Sequence, residues 1–432
     1  MSRARPGLFS APLLVALTAS LTASCGLRGE AEVDDKLEEV VEAPQAESTR
    51  PEGPHKTRTG KVGKTSKAGK SPPNIGPASR AQQTVLAFNN AASLARVGDT
   101  LLTLYRDSGD VKLARSAPAA EGAEASPEAT TTTTATTVTV ASGNASGVAL
   151  AVDGQDVLVL FIRGNSLNAA LSDDGGLSFG TAWPIVSGAG RPQGPSVRLW
   201  RSEAGLRAVL TYHLGNQITG QLYTSTLMDG TWSAPARLDG DGEGSWATLE
   251  GDGDRTIAVW KDFRHREREP TLYLAELADP TGPWSAPRSL GMVGADPSLC
   301  LDSGGRMHMV YQQNFRQLRY VRSDDRGQTW SAPTSVEEAP GLFGRVTCHP
   351  SNPAELAVTW EKFIGDGSNK DDHVKVVGLA RSRDRGDTFE VIPVLDNMTS
   401  QIRSSALLTG DGALEVSWID LRGEPTVKWQ TY

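Results

Sequence analysis

The chain has 432 residues, room for two or three ordinary domains or one large repeat domain. Its 43 Lys and Arg against 51 Asp and Glu leave a net charge of -8, and no basic cluster falls on a foldable segment, which argues against nucleic acid as a partner. An acidic balance of this size mainly favours solubility. Residues 1–24 have the three parts of an export signal: Arg3 and Arg5, an apolar stretch from Leu8 to Leu21, and small residues Thr22-Ala23-Ser24 ahead of Cys25. The apolar run falls short of the roughly 18 residues that a membrane-spanning helix needs.

The run into Cys25 resembles the bacterial lipobox, in which the Cys is lipidated and becomes the first mature residue. Leu21 stands one position before the place where that pattern has its Leu, and Thr22 fills the place itself. An ordinary secretory signal with an incidental Cys is the alternative. The resemblance implies a lipid-anchored protein of the cell envelope, periplasmic or at the surface. Gly26 gives no inner-membrane retention signal, which implies the outer membrane if the cell is Gram-negative. Residues 25–82 then show no apolar periodicity: Glu30 to Glu47 is acidic, Lys56 to Lys70 is basic and Gly/Ser/Thr-rich, and Pro72-Pro73 follows. Such a composition buries too little apolar surface to offset chain entropy and reads as a disordered tether.

From residue 83 to 432 the chain repeats itself. Three segments share Ser-x-Asp-x-Gly-x-(Ser/Thr)-aromatic: Ser172-Asp174-Gly176-Ser178-Phe179, Ser323-Asp325-Gly327-Thr329-Trp330 and Ser382-Asp384-Gly386-Thr388-Phe389. Gly230-Thr231-Trp232 and Gly282-Pro283-Trp284, each running into Ser-Ala-Pro, keep the tail of the motif. The chemistry is that of a hairpin turn, with Asp accepting from backbone N–H groups and Gly allowing positive φ. A spacing of about 50 residues suits one four-stranded propeller blade. Upstream of the turns, aliphatic runs ending in an aromatic recur, at Leu101–Tyr105, Val157–Phe161, Ala208–Tyr212, Ile257–Trp260, Met307–Tyr311, Leu356–Trp360 and Leu414–Trp418. They predict an all-β fold of four-stranded blades, seven in number with six as the alternative. The strand Thr84 to Phe88 would complete the last blade and close the ring. Ala117 to Thr137 stands where the first unit lacks its turn and reads as a disordered insert.

The repeated turn resembles the Asp box, or BNR repeat, of the sialidase superfamily. That likeness implies a ligand on the face where first strands begin and second strands end, away from the turns. On that face the sequence places Asp107, His213, Asp262, Glu361 and Asp420 at second-strand ends, and Arg345 and Arg403 at first-strand starts. Asp262 and Asp420 share Trp-x-Asp-x-Arg with Arg264 and Arg422 and are the candidate acid–base pair. Arg345, Arg403, Glu361, Asp107 and His213 are the candidate ligand-binding set, with solvated rim charges and structural ion pairs as the rival reading. The resemblance also implies a first arginine near residues 89–94 and a nucleophilic Tyr. The first is absent, and Tyr432 is the only Tyr in the final unit.

Asp239, Asp241, Glu243 and Glu250 have the spacing of a calcium loop without its helical flanks, so a solvated Gly-rich turn is the expectation and calcium the alternative. Cys300 and Cys348 fall in matching register of adjacent units, with two buried free thiols expected and a bridge between blades as the alternative. The reading is an envelope-anchored propeller, a monomer without cofactor, that binds a glycan or another envelope component. A glycoside hydrolase of exo-α-sialidase type and a protein-interaction scaffold are the rivals.

Overall fold

The computed structural model describes residues 86–87, 93–116, 136–188, 190–216, 218–265, 269–314, 316–364, 374–393, 401–420 and 426–432. The expected export signal, Cys25, the expected tether and most of the Ala117–Thr137 segment lie outside the described residues. The rest is β-structure, without a helix among the described residues.

The strands form seven antiparallel sheets, six of four strands and one of five. We number them as blades in chain order. Blade 1 begins with Ser93–Val97, blade 2 with Ala145–Asp153, blade 3 with Gln193–Ser202 and blade 4 with Gly244–Asp252. Blade 5 begins with Ala295–Leu301, blade 6 with Gly341–Cys348 and blade 7 with Gln401–Leu408. Each first strand packs on the first strand of the next blade, and that of blade 7 packs on that of blade 1, so the ring is closed. Leu86–Ala87 pairs with Thr426–Val427 and supplies the fourth strand of blade 7, as the orphan strand at Thr84 to Phe88 suggested. Closure by both chain ends removes the edges that an open sheet would expose.

Second strands are apolar on both faces because each blade is sandwiched between two others. In blade 2, Val157, Leu158, Val159, Leu160 and Phe161 are all fully buried. Val157 and Val159 pack toward blade 1, while Leu158 and Leu160 pack toward blade 3. Burying such a side chain contributes about 1.5–3 kcal/mol, so the inter-blade seams hold the ring together.

The three Ser-x-Asp-x-Gly turns share one hydrogen-bond scheme. Gly176, Gly327 and Gly386 donate their N–H to the Ser hydroxyl at 2.8, 2.7 and 2.9 Å, and the Asp accepts from the Ser/Thr that follows. These bonds favour the ionised carboxyl: Asp325 falls to about 2, held first by the Thr329 hydroxyl and backbone. Each turn leans on the third strand of the preceding blade. Gly386, at φ 82°, leaves no room for a Cβ beside the Tyr320 hydroxyl of blade 5.

Cys300 and Cys348 are joined as a disulfide between the first strands of blades 5 and 6, with Cα atoms 5.8 Å apart. This corrects the expectation of two free thiols. Matching register on adjacent inner strands brings the two Cα atoms within bridging distance, which the sequence alone does not establish.

Candidate functional site

The mouth of the ring, where first strands begin and second strands end, is shaped by one repeated irregularity. The pairing of first and second strand slips at Ser146/Val148, Gln193/Ser196, Ser245/Thr248, Ala295/Ser298, Leu342/Arg345 and Ile402/Ser405. In blades 3 to 7 two residues therefore stand opposite one large aromatic: Tyr212, Trp260, Tyr311, Trp360 or Trp418. All five are buried, and the bulge makes room for them. A Cβ on Gly244, just before the blade 4 bulge, would lie 2.8 Å from Trp260 Nε1.

The bulges of blades 2 to 6 each open with a residue in the left-handed region: Gly147 and Gly194 in blades 2 and 3, then Trp246 at φ 53°, Asp296 at 49° and Phe343 at 51°. A bulky residue there costs about 1–2 kcal/mol, and a bulge re-aims the side chains around it. Sequence reasoning missed Trp246, Asp296 and Phe343. Their signal is a shared offset, since Gly244, Gly294 and Gly341 each stand two residues before them.

Trp246 is 39% exposed and covers His213, with ring centroids 5.4 Å apart. His213 is fully buried, and neither ring nitrogen has a hydrogen-bond partner among the described residues. Burial first, and the Lys261 charge second, lower its pKa to about 4, so the ring is neutral at pH 7. A neutral imidazole carries one donor and one acceptor, both unmet here. Lys261, itself buried, reaches Asp296 of blade 5 at 3.3 Å. Blades 3, 4 and 5 thus contribute an exposed indole, an unsatisfied imidazole and a lysine–aspartate pair to one sector of the mouth.

The other residues singled out from sequence are placed as follows. Asp262 is 1% exposed, and its carboxylate accepts from five N–H groups: Glu243 N (3.1 Å), Arg264 N (2.8 Å), Arg264 Nε (3.0 Å), Arg264 Nη2 (2.7 Å) and Trp260 Nε1 (3.1 Å). Burial pushes its pKa up, but the bonds from Arg264 outweigh it and the net shift is down. The Arg264 guanidinium also lies 4.0 Å above the Tyr273 ring and donates to Asp239 O. A carboxylate so enclosed holds the Trp260 corner of blade 4; it does not face a substrate. Glu361 is buried with Lys375 at 3.2 Å, and Asp107 pairs with Lys112 and Ser108. Arg345 is exposed just inside the blade 6 bulge, with Nη1 3.3 Å from Gly344 O. Arg403 lies within the blade 7 bulge and Asp420 opposite Gln401, but their side chains lie outside the described residues, as does Arg422.

The four carboxylates spaced like a calcium loop do not converge. Asp239 is fully buried and accepts from Leu222 N, Gly244 N and Arg237 Nε. Glu250 lies six residues along the strand from Gly244, roughly 20 Å away, where burial raises its pKa to about 7 against the pull of Arg198. Among the described residues no group of three His, Cys, Asp or Glu could hold a metal ion. A further polar cluster joins blades 5 and 6 on the side of the turns. Asp302 accepts from Arg385 Nη2 at 2.9 Å and lies 3.3 Å from His308 Nε2, whose Nδ1 meets the Tyr320 hydroxyl at 2.7 Å. His308 and Tyr320 are buried, so this set is a clamp between blades.

Several solved structures share this fold. One is a polysaccharide lyase, an ulvan lyase bound to GlcA(1-4)Rha3S, at 13% identity over 80% of this chain and 95% of that one, with a TM-score of 0.52. A second ulvan lyase structure aligns at 14% identity over 81% and 94%, with a TM-score of 0.50. The intramolecular trans-sialidase from Ruminococcus gnavus aligns at 11% identity over 66% and 94%, with a TM-score of 0.45. No family model and no curated protein matches the chain. At such identities the likeness is one of fold, a β-propeller.

Proposed function

We propose that this chain is a glycan-binding propeller of the sialidase-like kind, held at the cell envelope by a lipid on Cys25, with its ligand in the mouth over blades 3 to 5. The observation that carries the reading is the Trp246–His213 pair. Three costs meet there: a tryptophan in the left-handed region, a large apolar side chain in water, and a buried imidazole with no partner. The unmet imidazole alone costs about 1–3 kcal/mol. A sugar ring answers the last two, because its C–H face stacks on the indole and its hydroxyl groups can donate to or accept from the imidazole once the indole shifts. Arg345, exposed at the blade 6 bulge, adds a cation to the mouth that suits an acidic glycan. The glycan-bound lyase supports the ligand class as a fold known to carry it, and the Ser-x-Asp-x-Gly turns support the sialidase kinship. The support for the anchor is the signal segment and Cys25.

The enclosed state of Asp262 favours binding over acid–base catalysis. A glycan array probed with the purified protein identifies the ligand, and Trp246→Ala should weaken binding at least tenfold while circular dichroism stays unchanged. Undiminished affinity in that variant refutes the mouth site. Release of a fluorophore from a sialoside, abolished by Arg345→Ala and Arg403→Ala, would replace the binding reading with a glycoside hydrolase.

A further inference from the structure

Blades 4 and 5 are separated along their outer edges by an open cleft of about 420 Å³, a size that suits a small ligand. One wall is the fourth strand of blade 4, Arg288–Val293; the other is blade 5, through Tyr311, Gln313, Gln328 and Trp330. We infer that this cleft is a second binding site, separate from the mouth, that takes a carboxylate-bearing sugar of an acidic glycan.

The charge argues for an anion. Arg288 is half-buried and reaches across the cleft to Gly327 O, yet it forms no ion pair with any described residue. The carboxylates nearest to it are already engaged: Glu276 by Arg255, and Asp325 by its own turn through Thr329 N at 2.8 Å. At the neighbouring seam the cations are compensated, since Arg306 pairs with Asp324 at 2.6 Å and Arg322 with Asp387. A half-desolvated guanidinium whose nearest carboxylates, Glu276 and Asp325, stay beyond ion-pair distance leaves room for a ligand carboxylate, which it can bind with two parallel bonds.

The remaining lining argues for a sugar. Trp330 has its indole N–H committed to Gly327 O at 3.1 Å, so it offers the cleft only ring surface. Tyr311 is 1% exposed, and its hydroxyl makes no hydrogen bond with a described residue. Gln313 and Gln328 add amide groups, while Met292 and the exposed Val293 form an apolar lip. An aromatic face, a spare hydroxyl and amides around one cation are the groups that a uronate ring uses.

The test is a ligand-observed NMR titration of the full chain with methyl β-D-glucuronide and methyl β-D-glucoside at low salt. The glucuronide should bind saturably and at least tenfold more tightly than the glucoside. Arg288→Gln and Val293→Glu should each weaken it tenfold or more, in the parent and in a Trp246→Ala background alike. Val293 is exposed and outside the packed seam, so its variant tests the charge without risking the fold. Equal binding of the two sugars, no saturable binding, or full affinity in both cleft variants overturns the assignment. Loss confined to Trp246→Ala also overturns it and places the uronate in the mouth instead.

Discussion

Replacing Asp262 by Asn separates an anchoring role from a catalytic one. The substitution keeps the shape of the side chain but turns one oxygen into an NH2 group. Three N–H donors meet Oδ1 and two meet Oδ2, so in either orientation at least two donors face a donor. Arg264 also loses the charge that raises its pKa against the lowering effect of burial. Removing one partner of a buried pair costs about 3–5 kcal/mol. Unfolding entropy near 2.1 cal/mol/K per residue over about 350 residues (83–432) makes that a fall in Tm of about 4–7 °C. The assay is differential scanning calorimetry of both proteins at pH 7, repeated near pH 3. The sign follows from the lowered carboxyl: its contribution is present above about pH 4 and lost as pH falls through the folded value, so the two proteins should converge in acid. A variant that melts within 1 °C of the parent at pH 7 would refute the anchoring account.

Breaking the disulfide by Cys300→Ala with Cys348→Ala releases a 48-residue loop, which should cost about 4 kcal/mol and lower Tm by about 5 °C in a thermal melt without reductant. Gly386→Ala places a Cβ against the Tyr320 hydroxyl at a positive φ, and should destabilise by about 2–4 kcal/mol in urea unfolding, where Asp387→Ala, which removes only the partly exposed pair with Arg322, should cost less than about 1 kcal/mol. His213 and His308 titrate near pH 4 when folded and near 6.5 when unfolded, so each contributes stability that is complete above pH 6.5 and lost as pH falls toward 4. The loss is about 3 kcal/mol per histidine, and unfolding midpoints that stay flat between pH 7 and 4.5 would contradict it.

The architecture was legible because it repeats. Each Ser-x-Asp-x-Gly turn and each aliphatic run ending in an aromatic is a local device, set by backbone hydrogen bonds and side-chain size, so its meaning survives without knowledge of distant contacts. The closing strand was legible for a related reason, as a lone apolar run at one end matched a missing strand at the other. The positions of Asp107, His213, Asp262 and Glu361 near second-strand ends, and of Arg345 near a first-strand start, followed from chain direction alone. Their chemistry did not, because it depends on the partners that folding brings to them, from the same blade for Asp107, Asp262 and Glu361 and from the next blade for His213. Asp262 looked like a carboxylate at a rim and is instead enclosed by Arg264, the Trp260 indole and the Glu243 backbone N–H. Cys300 and Cys348 stand 48 residues apart in sequence, and only the approach of adjacent inner strands decided that they join. The Trp246–His213 pair, which crosses from blade 4 to blade 3, and the cleft at Arg288 exist only between blades. The sequence determined each blade, since a blade is built from local pairing; the tertiary ring decided the sites, since those lie where separate blades meet.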